Sequence, residues 1–333
     1  MSSQTVCRRL PQAVRSQNFS HLAAYNAADS FFSPRESSSM STQHTAGEFS
    51  TSELRLLTEA AAYLENPSLL MQLANAVGKP LEFVVRAVDK MAPGRVEDAV
   101  NAALRTALNI AVSTIPDEAT TTQPSADADL RQVGKMPAFL HKLSVAITGT
   151  AGGLFGIAGL ALELPVTTTL MFRSIASIAR EFGEDLSEPE VRLQCLTVFC
   201  LGGAGSSDDA MESAYLSARW GLQEMLTHAA RTVAGMSAEQ LTSAIQKGAA
   251  PALVNLLSRI AAKFNVTVSQ KALVQAVPVL GAATGATINV AFIDHFNRVA
   301  RYHFGLRSLE RKYGLERTQA AYQAEVGKLR KSN

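Results

Sequence analysis

The chain has 333 residues, of which 47% are hydrophobic and 18% are charged, and its formal net charge is +2. This length allows one large domain or two small ones with an ample core. The charged fraction is below the roughly 25% usual for soluble domains, so polar surface is scarcer than in a typical enzyme. The small net charge excludes a general electrostatic attraction for nucleic acid. Three cysteines without a CxxC pair exclude a disulfide scaffold and favour a reducing compartment.

Residues 1–49 are rich in Ser and Gln and show no apolar periodicity. Such a composition cannot bury enough apolar surface to fold, so we predict a disordered leader. Arg8, Arg9 and Arg15 precede the first acidic residue, a weak sign of a targeting peptide. The other interpretation is an upstream start codon, with Met40 as the true start.

The first predicted helix begins at Ser50, because residues 50–53 read as a capping box. Its apolar stripe consists of Leu54, Leu57, Ala61 and Leu64. Further helices are predicted up to about residue 78, from 80 to about 91, and from 93 to about 115, each with proline at or near its first turn. Residues 116–137 are bounded by prolines and have no stripe, so we predict a loop.

Residues 143–162 contain no charged side chain. As a helix they would extend about 30 Å, the thickness of the hydrocarbon core of a bilayer. The run contains glycines spaced four apart, which on a helix form a groove for close contact with another helix. These glycines are Gly149 with Gly153, and Gly152 with Gly156.

Pro165 follows the run and predicts a kink or a turn, because its ring clashes with the carbonyl of Ala161. A full turn would make an apolar hairpin of residues 143–162 and 166–179. The run therefore has three interpretations: a membrane span, a buried core helix, or a hairpin that enters a bilayer conditionally. The glycines and threonines weaken its hydropathy and favour a core or peripheral location.

The second half of the chain repeats these features. Residues 187–190 and 237–240 read as capping boxes that begin helices, and residues 206–234 read as one more helix. A second uncharged run covers residues 272–293, with Gly281 and Gly285 spaced four apart. No stretch alternates like a strand. The predicted fold is therefore an all-α multi-helix bundle with glycine-rich central helices.

These residues resemble the EcsC family of bacterial proteins over about residues 50–325. The resemblance rests on the glycine-rich run leading into ELPVTTTLM at 163–171, then RSIA at 173–176, GEDL at 183–186, PEVR at 189–192, Cys195-Leu196, LGG at 201–203, Val277-Pro278, Gly281-Ala282, Asn289, Phe292, His295, Ala300, His303-Phe304, Arg307, Leu309-Glu310 and Tyr313-Gly314. It implies a helical domain at residues 50–325, associated with the cytoplasmic side of the membrane. Residues 326–333 would then be a C-terminal tail. The resemblance supplies no catalytic residue.

Glu163, Asp294 and His295 lie where the two apolar runs end, and they would meet if the runs packed together. A carboxylate beside an imidazole can act as an acid/base pair or as part of a metal site. The alternative is an ordinary buried polar cluster that satisfies the kink at Pro165. Asp294 and Arg298 are also spaced as a helical ion pair.

His303 and Arg307 are four apart on a late helix and could bind an anion such as a lipid headgroup. The alternative is a solvated helical face. Cys195 and Cys200 lie in an apolar stripe and read as inert core thiols. The sequence has neither a GxSxG elbow nor a phosphate-binding loop.

The sequence therefore favours a non-enzymatic, membrane-associated helical protein, an accessory or lipid-binding factor in envelope transport or secretion. We expect it to be cytoplasmic and peripherally attached to the inner membrane. Its partner would be membrane lipid or a membrane protein such as a transporter, with no nucleic acid, metal or cofactor. The alternative function is a hydrolase with its site near Glu163 and His295.

Overall fold

The computed structural model describes residues 48–66, 69, 72–73, 93–112, 156–202, 213–275 and 282–332. These residues contain nine α-helices and no strand, so the predicted all-α class is confirmed. In chain order the helices are α1 (Thr51–Leu64), α2 (Pro93–Val112), α3 (Gly156–Glu181), α4 (Pro189–Leu201), α5 (Ala214–Val233), α6 (Ala238–Gln246), α7 (Pro251–Gln275), α8 (Ala282–Tyr313) and α9 (Leu315–Ser332). No described helix is both long enough and apolar enough to cross a membrane.

Two of the three predicted capping boxes are present. Ser50 caps α1 and Ser237 caps α6, each with the reciprocal bond from the third helical residue. The box predicted at Ser187 is wrong, because α4 begins after Glu188 with Pro189 in its first turn and no side-chain cap. The Ser187 backbone N–H instead donates to the Asp185 carboxylate at 2.8 Å.

Helix α3 continues through Pro165 to Glu181, so the chain does not make the full turn required for a hairpin. An interior proline costs about 3 kcal/mol because one backbone bond is lost. Leu164 and Phe172, on either side of Pro165, are fully buried, and burying one such side chain contributes about 1.5–3 kcal/mol. Packing of the flanking residues therefore outweighs the local preference to break the helix.

Helices α7 and α8 lie at the centre of the bundle. Helix α8 packs against α1, α3, α4, α7 and α9, while α7 packs against α2, α3, α4, α5 and α8. Fully buried rings from α4, α7 and α8 join in one cluster with centroids 4.9–6.3 Å apart; these are Phe199, Phe264, Phe292 and Phe296. Tilted and edge-on ring pairs at these distances add to the stabilisation from area alone.

The structure describes the two ends of the predicted domain to different extents. Residues 1–47 lie outside the described residues, and Phe49 packs on the ring of Tyr313 at a centroid distance of 4.5 Å. Helix α9 runs to Ser332 with Val326 buried, so residues 326–332 are helical rather than a tail. In α1 the predicted stripe residue Leu54 is 46% exposed.

The predicted glycine groove falls largely on residues that the structure does not describe. Gly149, Gly152, Gly153 and Gly281 lie outside the described residues. Gly156 begins α3 and Gly285 lies near the start of α8. The packing role of these six glycines stays a prediction.

Among the described glycines, Gly202 shows a close approach that no side chain would fit. A Cβ atom there would lie 2.8 Å from Phe296 Cε1 and 3.1 Å from His295 Nε2. Both neighbouring side chains are fully buried, so neither has room to withdraw. The end of α4 therefore touches α8 through its backbone.

We expect Gly202→Ala to lower the unfolding free energy by about 1–3 kcal/mol, because the new methyl group would overpack the α4–α8 contact. The matched control is Gly221→Ala in α5, where nothing lies within 4 Å of the added Cβ. That change should be neutral or stabilising by up to about 1 kcal/mol. Urea denaturation measures both, and equal effects at the two positions would contradict the close contact.

Candidate functional site

A buried ion pair joins α3 to α7 in the centre of the bundle. Lys271 Nζ lies 2.5 Å from Glu163 Oε1, and the two side chains are 0% and 8% exposed. The ammonium group also lies 4.9 Å from the centroid of the Phe292 ring of α8. Burial lowers the pKa of Lys271, and the charge of Glu163 opposes this shift. Three helices thus meet at one shielded cation.

The sequence analysis identified Glu163 but missed Lys271. Lys271 immediately precedes the second uncharged run and therefore lies outside the stretch that the apolar pattern defines. A lone lysine next to an apolar run is a usable signal, because a buried ammonium group requires a counter-charge. The sequence gives no indication of which carboxylate supplies it.

His295 of α8 is fully buried and uses both ring nitrogens. Its Nε2 donates to the Gly202 carbonyl oxygen at 2.7 Å, since a carbonyl can only accept. Its Nδ1 therefore accepts the hydroxyl proton of Tyr63, 2.9 Å away. The Tyr63 oxygen in turn accepts from Gln72 Nε2 at 3.2 Å. Burial lowers the pKa of His295 to about 4, so the ring is neutral at pH 7.

The structure does not bring Glu163, Asp294 and His295 together as an acid/base or metal cluster. Asp294 pairs with Arg298 at 2.8 Å on the surface of α8, as its four-residue spacing predicts. Glu163 pairs with Lys271 of α7, while His295 binds Tyr63 and the Gly202 carbonyl. The lone pair of His295 is held by Tyr63, which leaves no basic nitrogen for a substrate.

His303 and Arg307 do not form the predicted anion site either. His303 is fully buried, and its Nδ1 lies 2.8 Å from the hydroxyl of Tyr215. Arg307 binds Glu184 through two hydrogen bonds of 2.8 and 3.1 Å. Burial lowers the pKa of His303 far below its usual value, and the charges of Arg219 and Arg307 lower it further. Both side chains thus have internal partners, which rules out the solvated face as well.

Glu184 is a carboxylate shared by two arginines from α8. Arg307 and Arg311 both bind it, and Arg311 also donates to the Phe182 carbonyl oxygen. Burial alone would raise the pKa of Glu184, but the bonds from Arg307 and then the charge of Arg311 outweigh it and lower that pKa. This clamp fixes the end of α3 against α8.

A second carboxylate, Glu65, joins the end of α1 to the start of α5. It accepts the Ser213 hydroxyl at 2.5 Å and the Ala214 backbone N–H at 2.9 Å. The Tyr322 hydroxyl of α9 donates to it at 3.0 Å. A negative charge at a helix N-terminus is stabilised by the free N–H groups there. Glu65 therefore joins the end of α1, the start of α5 and the middle of α9, and no local sequence motif predicts this role.

Arg219 of α5 forms a third internal clamp. It binds Glu310 of α8 through two hydrogen bonds of 2.7 and 2.6 Å, with both side chains under 10% exposed. Glu310 is one of the residues that carry the family resemblance, but the sequence does not predict its pairing with Arg219. A bidentate pair of this kind fixes orientation as well as distance.

The cysteines of α4 agree with the inert interpretation. Cys195 and Cys200 are both buried and free. Burial raises the pKa of both thiols, for Cys200 to about 11. Neither forms an appreciable amount of thiolate at neutral pH. Among the described residues no group of three or more His, Cys, Asp and Glu side chains has the arrangement of a metal site.

Comparison with known families gives one match. A model of the EcsC protein family matches residues 65–309, which is most of the chain and includes Glu163, Glu184, Lys271 and His295. Neither the curated proteins nor the solved structures provide a match.

We expect Glu163→Leu or Lys271→Met alone to cost about 3–5 kcal/mol of unfolding free energy, because each leaves one buried charge without its partner. The double variant Glu163→Leu/Lys271→Met should lose less than either single change, since it removes both charges. Urea denaturation of the four proteins gives the coupling energy. Arg55→Ala is the control and should cost no more than about 1 kcal/mol, because Arg55 is 75% exposed in its pair with Glu59. Additive single effects would contradict a coupled pair.

Acid should destabilise the protein through His295. The unfolded ring binds a proton below its ordinary pKa of 6.5, whereas the folded ring does so only near pH 4. Stability is therefore lost as the pH falls from about 6.5 to about 4, by about 3 kcal/mol for this group. His303 shifts in the same direction and adds to the loss.

As the pH is lowered across this window, the unfolding free energy of His295→Gln should decrease less steeply than that of the parent. Urea denaturation at several pH values measures both slopes. His228→Gln is the control, because His228 lies on the surface of α5. Equal slopes in the parent and His295→Gln would show that the pKa of His295 is the same in the folded and the unfolded protein.

Proposed function

The chain belongs to the EcsC protein family, and we propose that it is a non-enzymatic protein that binds reversibly to a membrane surface. In this proposal it is cytoplasmic, attaches peripherally to the inner membrane, and acts as an accessory or lipid-binding factor in envelope transport or secretion. The favoured partner is membrane lipid, and the alternative partner is a membrane protein such as a transporter.

The Glu163–Lys271 pair is the observation that carries the proposal. Residues 143–172 contain a single charged side chain, Glu163. An unpaired carboxylate at membrane depth costs about 2.5–3.5 kcal/mol on insertion scales. Lys271 neutralises this carboxylate inside the bundle. The free-energy cost of bringing residues 143–172 against a bilayer is therefore lowered without any change in the fold.

Exposed apolar surface on α3 supports the same proposal. Val166, one turn after Glu163, is 55% exposed and is the most exposed large apolar side chain that the structure describes. A single exposed valine is common on soluble proteins. Here it adjoins a long segment whose only charge is neutralised internally, so it is a suitable point of shallow contact with acyl chains.

The geometry does not favour the hydrolase alternative. His295 is neutral and hydrogen-bonded at both nitrogens, and Glu163 is engaged by Lys271. A general base needs a free lone pair within reach of a substrate proton. In the described residues this pair of side chains does not provide one.

Val166→Asp should weaken vesicle binding at least about fivefold, because half-burying a valine contributes about 1 kcal/mol and the new carboxylate must be desolvated. The control is Leu54→Asp, which changes a similarly exposed apolar residue on α1. Flotation of the purified protein with liposomes measures both. We expect binding by the parent and by Leu54→Asp.

Carbonate extraction of membranes provides the complementary measurement. The proposal expects release by carbonate, followed by rebinding of the released protein to liposomes. Retention in the carbonate pellet would show constitutive insertion, and absence of binding to any vesicle would show that lipid is not the partner. Either result overturns the proposal as stated.

A further inference from the structure

Helix α7 is unusual in its charge pattern. Its 25 residues include Arg259, Lys263 and Lys271 but no Asp or Glu. Lys271 points into the bundle and pairs with Glu163. The other two cations are four residues apart and lie on one side of the helix. The described part of the chain offers no ion-pair partner to either of them, in contrast to Lys271.

The outward face of α7 also lacks acidic residues. Its exposed positions recur with helical spacing over about 23 Å of helix length. These positions are Pro251, Val254, Asn255, Ser258, Arg259, Ala262 and Val266. We call this set, together with the half-buried Lys263, the α7 face. It combines small neutral side chains with two cations along one edge.

Two valines make the α7 face partly apolar. Val254 is 37% exposed and Val266 is 51% exposed. Val266 lies five residues before Lys271, and Val166 lies three residues after Glu163. The two most exposed valines are thus within about 8 Å and 5 Å, along their helix axes, of the residues that join α7 to α3. Exposed apolar side chains thus occur on both helices close, along their axes, to the ion pair that joins them.

We propose that the α7 face is the surface that docks on a bilayer containing anionic phospholipid. This inference rests on the proposed function and adds the binding surface and the lipid class. Charge complementarity supports the choice of occupant, because a face with cations and no acid is attracted by a negative leaflet. Valines and alanine between the cations allow shallow contact with the acyl boundary.

The size of the effect follows from the number of cations. Each basic residue close to an anionic leaflet strengthens binding about fivefold, so Arg259 and Lys263 together contribute about 25-fold. Reversing both charges adds repulsion and should weaken binding by more than that. The attraction acts over about a Debye length, so it should largely disappear at about 1 M salt.

The test is flotation with vesicles of phosphatidylcholine alone or mixed with phosphatidylserine. We expect the parent to bind the mixed vesicles better, and Arg259→Glu/Lys263→Glu to lose at least about 25-fold on them. The matched control is Arg231→Glu/Lys247→Glu, which makes the same change in net charge at two exposed positions outside the α7 face. Thermal unfolding of each variant confirms that it is folded.

Each outcome decides the inference. Selective loss in Arg259→Glu/Lys263→Glu supports it. Equal loss in the control shows a general charge effect and overturns it. Full binding by Arg259→Glu/Lys263→Glu, together with loss in Val166→Asp, overturns the α7 face while the proposed function stands. Failure of the parent to bind either vesicle overturns both, and then a protein partner becomes the occupant to examine.

Discussion

A buried ammonium group is stable only beside a counter-charge, and this constraint sets the centre of the bundle. Lys271 of α7 is fully shielded from solvent and must keep Glu163 of α3 within hydrogen-bonding distance. Glu163 and Leu164 directly precede Pro165, and α3 continues past this proline to bury Phe172 as well. The ring of Phe292 of α8 also packs against the Lys271 ammonium group. The position of one ion pair thus fixes three helices relative to one another.

Several other largely buried polar side chains also pair between helices, and four of them lie on α8. His295, His303, Arg307 and Glu310 of α8 find partners on the end of α4, on α5, and on the loop after α3. These contacts join residues that are far apart in sequence. Removing one partner from such a pair leaves the other desolvated, so each contact specifies the arrangement more strongly than its net energy suggests. The side chains that the sequence offered as candidate site residues instead form hydrogen bonds and ion pairs between the helices of the bundle.

Local rules predicted the helices well and the partners poorly. The caps at Ser50 and Ser237 depend on residues within four positions, so the sequence contains the whole interaction. The turn considered at Pro165 does not form, because packing against other helices keeps α3 intact. His303 and Arg307 were correctly placed on one helix, but the helical period does not reveal that Tyr215 and Glu184 lie opposite them. Knowledge of a partner requires the fold, and the sequence alone supplied only the class.

Some surface cations on this protein pair with an acid of their own helix. Examples from α1, α8 and α9 are the pairs Arg55–Glu59, Asp294–Arg298 and Glu325–Lys328. Helix α7 departs from this pattern, because it contains no acid with which its outward cations could pair. Its inward cation, by contrast, is matched from another helix. The same absence of acids that makes Lys271 depend on α3 therefore leaves Arg259 and Lys263 available to a negative surface outside the molecule.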